Sequence, residues 1–450
     1  MLRTWDGVPS GDLDRPLSEL AAEAYVGRTC FKTGPPERVG VELEWLVHDV
    51  DRLRTPVSSE RVWTALADLI DHPAHPVLPS GGSLTTEPGG QLELSSPPAP
   101  LARCMQLTAA DLDRIRGSLA RSGLTLAGVG LDPERPPWRH TTTPRYVAME
   151  QHFDRRGPAG RLMMCSTASV QVCVDAGADD ADIVARWHAL HALGPVLVAL
   201  FANSPLHGGR PTGWRCTRQA IWSRIDPTRT RPPAGSPLSD TRPHGARPAG
   251  ADQLRAAYSR FALDADLLAI QRVDGPWLAP PGLTFRAWLR GDGPSALHAP
   301  TIGDLDFHLS TLFPPVRPRG HLELRVIDAQ PVDRWPLVTA VVATLLNDPA
   351  VRDDALAAAE PVTGRWVAAA RHAASDPGFA RAGVAALLAA AAGMRRAGLP
   401  ADLAAAAEAY ADRYPARGRC PADDLLDSRA GNGRPGSNHR QSLPSRGGLP

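Results

Sequence analysis

Lysine is all but missing from this chain of 450 residues: Lys32 is the only one, so nearly every positive charge is an arginine. A phosphate site here must therefore be built from arginine, backbone amides or metal ions. No Gly-x-x-x-x-Gly-Lys-Ser/Thr loop occurs and no Gly-x-Gly-x-x-Gly links a strand to a helix, which excludes P-loop and Rossmann nucleotide binding. A charge surplus is missing too. Lys+Arg 49 against Asp+Glu 48 leaves +1, so there is no bulk electrostatic case for a nucleic-acid or membrane partner, and a small-molecule substrate is expected. The six cysteines (Cys30, Cys104, Cys165, Cys173, Cys216 and Cys420) form no Cys-x-x-Cys pair and read as reduced thiols. The N-terminus lacks a basic segment followed by an apolar signal core, and no apolar run is read as membrane-spanning, so a cytoplasmic protein is expected. No histidine falls in His-Glu-x-x-His and no serine in Gly-x-Ser-x-Gly, which argues against a zinc protease and a nucleophile-elbow hydrolase.

What the chain does have is five glutamates in three short strand-like segments: Glu42 and Glu44 in Val-Glu-Leu-Glu, Glu87 and Glu93 in Glu-Pro-Gly-Gly-Gln-Leu-Glu-Leu, and Glu323 in His-Leu-Glu-Leu-Arg. Alternate side chains of a strand share a face, so Glu42 and Glu44 point the same way and the apolar residues between them face a core. Several carboxylates aimed into one cavity repel and protonate unless cations compensate them. Hard cations such as Mg2+ suit carboxylate oxygens. Any one such segment equally describes a solvated strand face. Three of a kind favour a shared site.

Around these segments, residues 11–30 read as an amphipathic helix, 36–50 as a strand, 59–71 as a helix, and 81–95 as two strands broken by Pro88-Gly89-Gly90. A helix is expected at about 100–122, strands at 124–130, 163–174 and 321–327, and a long helix at 181–202. Residues 226–250 read as a mobile Pro/Arg-rich loop, 336–412 as alanine-rich helices, and 428–450 as a disordered tail after a single catalytic domain over 1–427. The class implied is α+β, with one sheet face as a chemical surface flanked by helices.

Alternation also places His321, Glu323 and Arg325 on one face, a carboxylate for a metal beside an arginine for a phosphate. Thr167, Ser169, Gln171, Cys173 and Asp175 share a strand face, a row of small polar groups suited to a cavity lining or to a half-exposed edge. Arg218, Trp222 and Asp226 recur at helical spacing, with Arg229 next, and Arg145-Tyr146 follows Pro144. These arginines are candidates for bidentate contacts to an anionic substrate or ordinary surface groups.

The segments 38–44, 87–95, 163–175, 199–205, 218–222, 283–286, 308–317 and 322–325 together resemble the glutamate-cysteine ligases of the plant and proteobacterial type, including the actinobacterial enzymes that feed ergothioneine synthesis. The resemblance covers roughly residues 25–375. It implies a glutamine-synthetase-like fold, in which an antiparallel sheet funnel holds ATP, Mg2+ or Mn2+ and L-glutamate. It implies that ATP phosphorylates the glutamate side chain and that the amine of L-cysteine then displaces phosphate. On it, Glu42, Glu44, Glu87, Glu93 and Glu323 become metal ligands, with Glu42, Glu323 and Arg325 catalytic. Gln171 and Arg325 contact the cofactors, and Arg145, Tyr146, Arg218, Trp222 and Arg229 hold substrates. Gln171 stands where some relatives carry a histidine. A ligase of the same fold using another amine, and an inactive nucleotide- or metal-binding regulator, stand as alternatives. A monomer is expected.

Overall fold

The computed structural model describes residues 16–70, 77–233, 250–295 and 297–432. Most of the expected 226–250 loop and residues 433–450 of the expected tail lie outside them.

The glutamate segments are strands. β1 (Val39–Asp49), β2 (Ser83–Thr86), β3 (Leu92–Ser95), β4 (Leu124–Ala127) and β5 (Ser169–Asp175) come first. β6 (Leu206–His207) and β7 (Arg210–Pro211) make a separate small pair, and β8 (Val316–Pro318) and β9 (His321–Asp328) complete the set. The main sheet has seven strands in the order β2-β3-β1-β5-β9-β8 with β4 against β1, every pairing antiparallel. In β1 the alternation runs as expected. Val41, Leu43 and Trp45 are buried in the main core, while Glu42 and Glu44 stand between them on the other face.

Register then aligns the chemistry across strands: Glu44 opposes Glu93, Glu42 opposes Gln171, Cys173 opposes Glu323, and Glu323 opposes Arg317. Like charges directly opposite each other on a sheet are destabilising, so Glu44 and Glu93 are held together by the fold and not by mutual attraction. Between β5 and β9 the register shifts, with Val170 to Val172 facing Ile327 to Leu324. β9 thus carries an extra residue beside Arg325, a bulge of the kind that re-aims a side chain next to a site.

The core lies beneath the opposite face. α6 (Asp180–Phe201) packs on β9, and the helix Trp335–Asn347 packs on β1 and β5. Both are apolar over almost their whole length because they are covered on several sides. Further helices to Asn432 stack outside them. α6 and the helix Pro377–Arg396 are long and apolar enough to cross a membrane, which corrects the expectation that no run reaches that length. In α6, 83% of the apolar window is already buried inside the protein.

Other boundaries are corrected as well. Met163–Ser166 belong to a helix, Ala159–Ser166, and the strand begins only at Ser169. Residues 428–432 continue the helix Pro421–Asn432 and do not start a tail.

Candidate active site

The polar sheet face forms the floor of a cavity of about 270 Å³. Its walls come from α4 (Pro144–Asp154), α5 (the Ala159–Ser166 helix), the short helix Thr217–Trp222, and the 310–319 segment leading into β8. Of the expected site residues, Glu42, Glu44, Glu87, Glu93, Arg145, Tyr146, Gln171, Arg218, Trp222 and Arg325 all line it. The Pro88-Gly89-Gly90 turn joins β2 to β3. It closes tightly, with Gly90 N–H donating to Glu87 O and Glu87 N–H to Gln91 O, and both carboxylates reach the cavity.

Charge is segregated within this space. Glu42, Glu44, Glu87 and Glu93 gather on the β1–β3 side. Burial pushes the Glu42 carboxyl up to about 8, helped by Glu323 and Glu93. Burial likewise raises Glu44 and Glu93, Glu44 adding to the second, and raises Glu87 well above the usual range with Glu93 and Glu44 contributing. Across from them stand Arg218, Arg317, Arg319 and Arg325, with Arg145 at the rim of the same cavity.

Glu323 sits at the junction and is fully buried. Burial alone would raise its pKa, but Arg317 and Arg325 overcome that and hold it below the ordinary carboxylate range. Arg317 donates Nε to Oε2 at 2.8 Å and Nη2 to Oε1 at 3.0 Å, a bidentate fork, and Arg325 donates Nη1 to Oε1. Glu323 therefore lies behind the cavity surface, joined to two guanidiniums. Gln171 links the two sides: its Nε2 donates to Glu44 Oε1 at 2.8 Å, and its Oε1 accepts from Arg325 Nη1 at 2.5 Å.

Arg218 is 2% exposed and donates Nη2 to the Arg325 carbonyl at 2.9 Å, while its Nε and Nη1 have no partner among the described residues. Two buried guanidinium nitrogens without acceptors suit an anion entering from the cavity. Trp222, one helical turn on, packs against both Arg218 and Arg325 at 5.7 and 5.9 Å from guanidinium carbon to ring centre. Arg145 is held over Phe307 and bonds Ser310, donating Nη1 to Oγ at 2.9 Å. The Tyr146 hydroxyl is pushed up by Glu87 and by burial, so it stays protonated as a donor.

Arg229 is not part of this space. It is fully buried, donating Nε to Asp226 Oδ2 at 2.7 Å, Nη1 to Thr311 O at 2.9 Å and Nη2 to Asp266 O at 2.5 Å. Its expected substrate role is corrected to a packing role, because every donor direction is already used inside the protein. Asp226 is likewise drawn away, bonding His152 and capping the turn Pro227–Thr230. The expected polar row on β5 divides too: Thr167 and Gln171 line the cavity, whereas Ser169 and Asp175 do not. Arg317 and Arg319 were missed among the site residues. The available signal was the Val-Arg-Pro-Arg run beside the Glu323 strand, which a hairpin register would have turned inward.

The acidic half fits a hard divalent cation in its chemistry, since four oxygen-donor side chains are pushed toward protonation by burial and by one another. They are spread over β1, β3 and the turn before β3. Among the described residues no three acidic, histidine or cysteine side chains converge on one point.

A family model for glutamate-cysteine ligase family 2 (GCS2) matches residues 38–443. The chain belongs to glutamate-cysteine ligase family 2. Relatives include the glutamate-cysteine ligase EgtA of Mycolicibacterium smegmatis, 38% identical over 79% of this chain and 80% of the relative. The EgtA of Mycobacterium tuberculosis is 37% identical over 94% of this chain and 93% of its own. The chloroplastic glutamate-cysteine ligase of Arabidopsis thaliana is 30% identical, over 79% and 67%. Among solved structures, a glutamate-cysteine ligase of Francisella tularensis in complex with AMP superimposes with a TM-score of 0.50 at 13% identity, covering 88% of this chain and 86% of that one. That likeness supports the family fold, an α+β body built on an antiparallel sheet.

Proposed function

We propose that the protein is an ATP-dependent glutamate-cysteine ligase. ATP phosphorylates the γ-carboxylate of L-glutamate, forming γ-glutamyl phosphate and ADP; the amine of L-cysteine then attacks the acyl carbon, phosphate leaves with the C–O bond, and γ-glutamylcysteine results. The observation that carries this reading is the arrangement of four buried glutamate side chains facing a group of arginines in one cavity of a family 2 chain. A single ligand that is both polyanionic and cation-bearing, a metal–nucleotide, answers both halves.

In this reading Glu42, Glu44, Glu87 and Glu93, joined by Glu323 once Arg325 turns away from it, would hold Mg2+, which would neutralise charge between the carboxylates and the phosphates. Arg325 is poised to turn from Glu323 and Gln171 to a phosphoryl oxygen. Arg218, with two free donors, holds an anionic group, and Arg317 keeps Glu323 ionised. Arg145 and Tyr146 orient a substrate carboxylate at the rim. Catalysis rests on positioning and electrostatics, as expected for phosphoryl transfer. The matches to two EgtA enzymes support delivery of the product to ergothioneine. Our reading is of a monomeric, cytoplasmic enzyme with one catalytic domain.

The test is phosphate release by the purified protein with ATP, Mg2+ and glutamate, adding cysteine or other amines singly, with the product identified by mass. Cysteine-dependent release with γ-glutamylcysteine is expected. Release only with another amine replaces the acceptor, and no release with any amine overturns the ligase reading.

A further inference from the structure

Three of the chain's six methionines, Met149, Met163 and Met164, line one stretch of the cavity. They come from α4 and α5 and are almost wholly buried. Gln91, 2% exposed, closes the same stretch from the sheet side. Its Nε2 donates to the carbonyls of Thr167 at 2.8 Å and Met164 at 3.3 Å. Those two carbonyls set the amide's orientation, because the flipped form would aim oxygen at oxygen. The other end, Oε1, is buried and has no donor among the described residues.

An acceptor buried without a donor is destabilising, so its persistence in a cavity wall calls for a ligand donor. The wall is also firmly built. A Cβ added at Gly89 would lie 2.1 Å from the Cys165 carbonyl oxygen, which puts the backbone of the 88–90 turn in direct contact with the end of α5 and fixes Gln91 against it.

We propose that Gln91, Met149, Met163 and Met164 form the subsite for the side chain of the amine acceptor, built for a thiol. The assignment rests on the ligase reading above. A thiol is small, polarisable and a weak single donor. A methionine wall offers it dispersion without competing hydrogen-bond groups, and one carbonyl oxygen matches its one S–H. The unbranched methionines have enough rotatable bonds to let the sulfur reach Oε1, which solvent does not reach in the ligand-free chain. The subsite adjoins Glu87 and Glu93, which flank Gln91 in sequence and line the same cavity. A thiol-bearing acceptor seated here would have its amine beside the reacting centre.

The test compares kcat and KM for cysteine, 2-aminobutyrate and serine at saturating ATP, Mg2+ and glutamate. Wild type is measured beside Gln91→Met, Met149→Leu and Met163→Leu, with thermal melting as the check on folding. 2-Aminobutyrate keeps the size of cysteine and lacks the donor. Gln91→Met is expected to lower the preference for cysteine over 2-aminobutyrate about threefold or more, through the KM for cysteine and with the KM for glutamate held. The two leucine variants are expected to move the same ratio in the same direction by less. An equal fall for both acceptors, or a rise in the KM for glutamate, overturns the assignment. If Gln91→Met does not fold, unchanged acceptor ratios in both leucine variants overturn it. Absence of cysteine-dependent turnover in wild type would instead overturn the ligase reading on which it rests.

Discussion

Replacing Arg317 with methionine removes the fork that holds Glu323. Both groups are buried, at 7% and 0% exposed, and joined by bonds of 2.8 and 3.0 Å. Removing one partner of a buried ion pair costs about 3–5 kcal/mol, because the remaining charge is stranded. Arg325 stays on Glu323 and keeps the loss toward the lower end. Unfolding entropy of about 2.1 cal/mol/K per residue gives roughly 0.9 kcal/mol/K for a chain of this size, so the melting temperature should drop by about 3–5 °C. Differential scanning calorimetry measures it directly. The double variant Arg317→Met/Glu323→Gln removes both charges and should regain at least half of that drop while remaining inactive. A single variant melting within about 1 °C of wild type, or a double variant no more stable than the single, would refute the claim that the pair is coupled and buried.

Glu42→Gln should abolish turnover yet leave the melting temperature unchanged or raised, since burial and neighbouring carboxylates already disfavour the Glu42 charge; Glu323→Gln should abolish turnover and lower it, since Arg317 loses its partner. Gly89→Ala would set its Cβ 2.1 Å from the Cys165 carbonyl oxygen and force the 88–90 turn away from α5, so both stability and kcat should fall, and a fully active, normally melting variant would show that the turn does not pack this closely on α5. Burial raises the Asp306 carboxyl to about 6, against the Tyr25 hydroxyl. The folded chain then holds a proton there that the unfolded chain has released between about pH 4 and 6, so stability falls as pH rises through that window. In Asp306→Asn this decline should flatten, and melting curves from pH 4 to 7 that run parallel to wild type would contradict it.

Strands and long helices were legible because each obeys a period. Val39–Asp49 alternates and Leu101–Arg121 carries a clean apolar stripe, and both appear where expected. Met163–Ser166 was misread because a short apolar run next to a strand has no period long enough to separate helix from sheet. The glutamates were legible as a group because three segments of the same kind recur, although each alone also describes a solvated strand face. The arginines were legible only in part: Arg145, Arg218 and Arg325 line the cavity, and Arg229 does not. Arg218 and Arg229 stand eleven residues apart on successive short helices, and only the three-dimensional path sends the first to the cavity and the second to Asp226, Thr311 and Asp266. Arg317 and Arg319 depend on the β8–β9 hairpin register, which sets Arg317 opposite Glu323. The vacancy at Gln91 Oε1 is likewise a property of packing: the same glutamine on an open strand would be hydrated.

The solitary Lys32 has a practical use. It follows α1 (Glu19–Cys30), is exposed, and lays its methylenes across Gly320, whose N–H donates to Cys30 O at 2.9 Å. Gly320 is the tip of the hairpin whose arms carry Arg317, Arg319, Glu323 and Arg325. Amine-directed chemistry, with the more acidic α-amino group blocked first at neutral pH, would attach one fluorophore at the hinge of that arginine hairpin without any engineered residue. Nucleotide arrival could then be followed optically in the unmodified sequence.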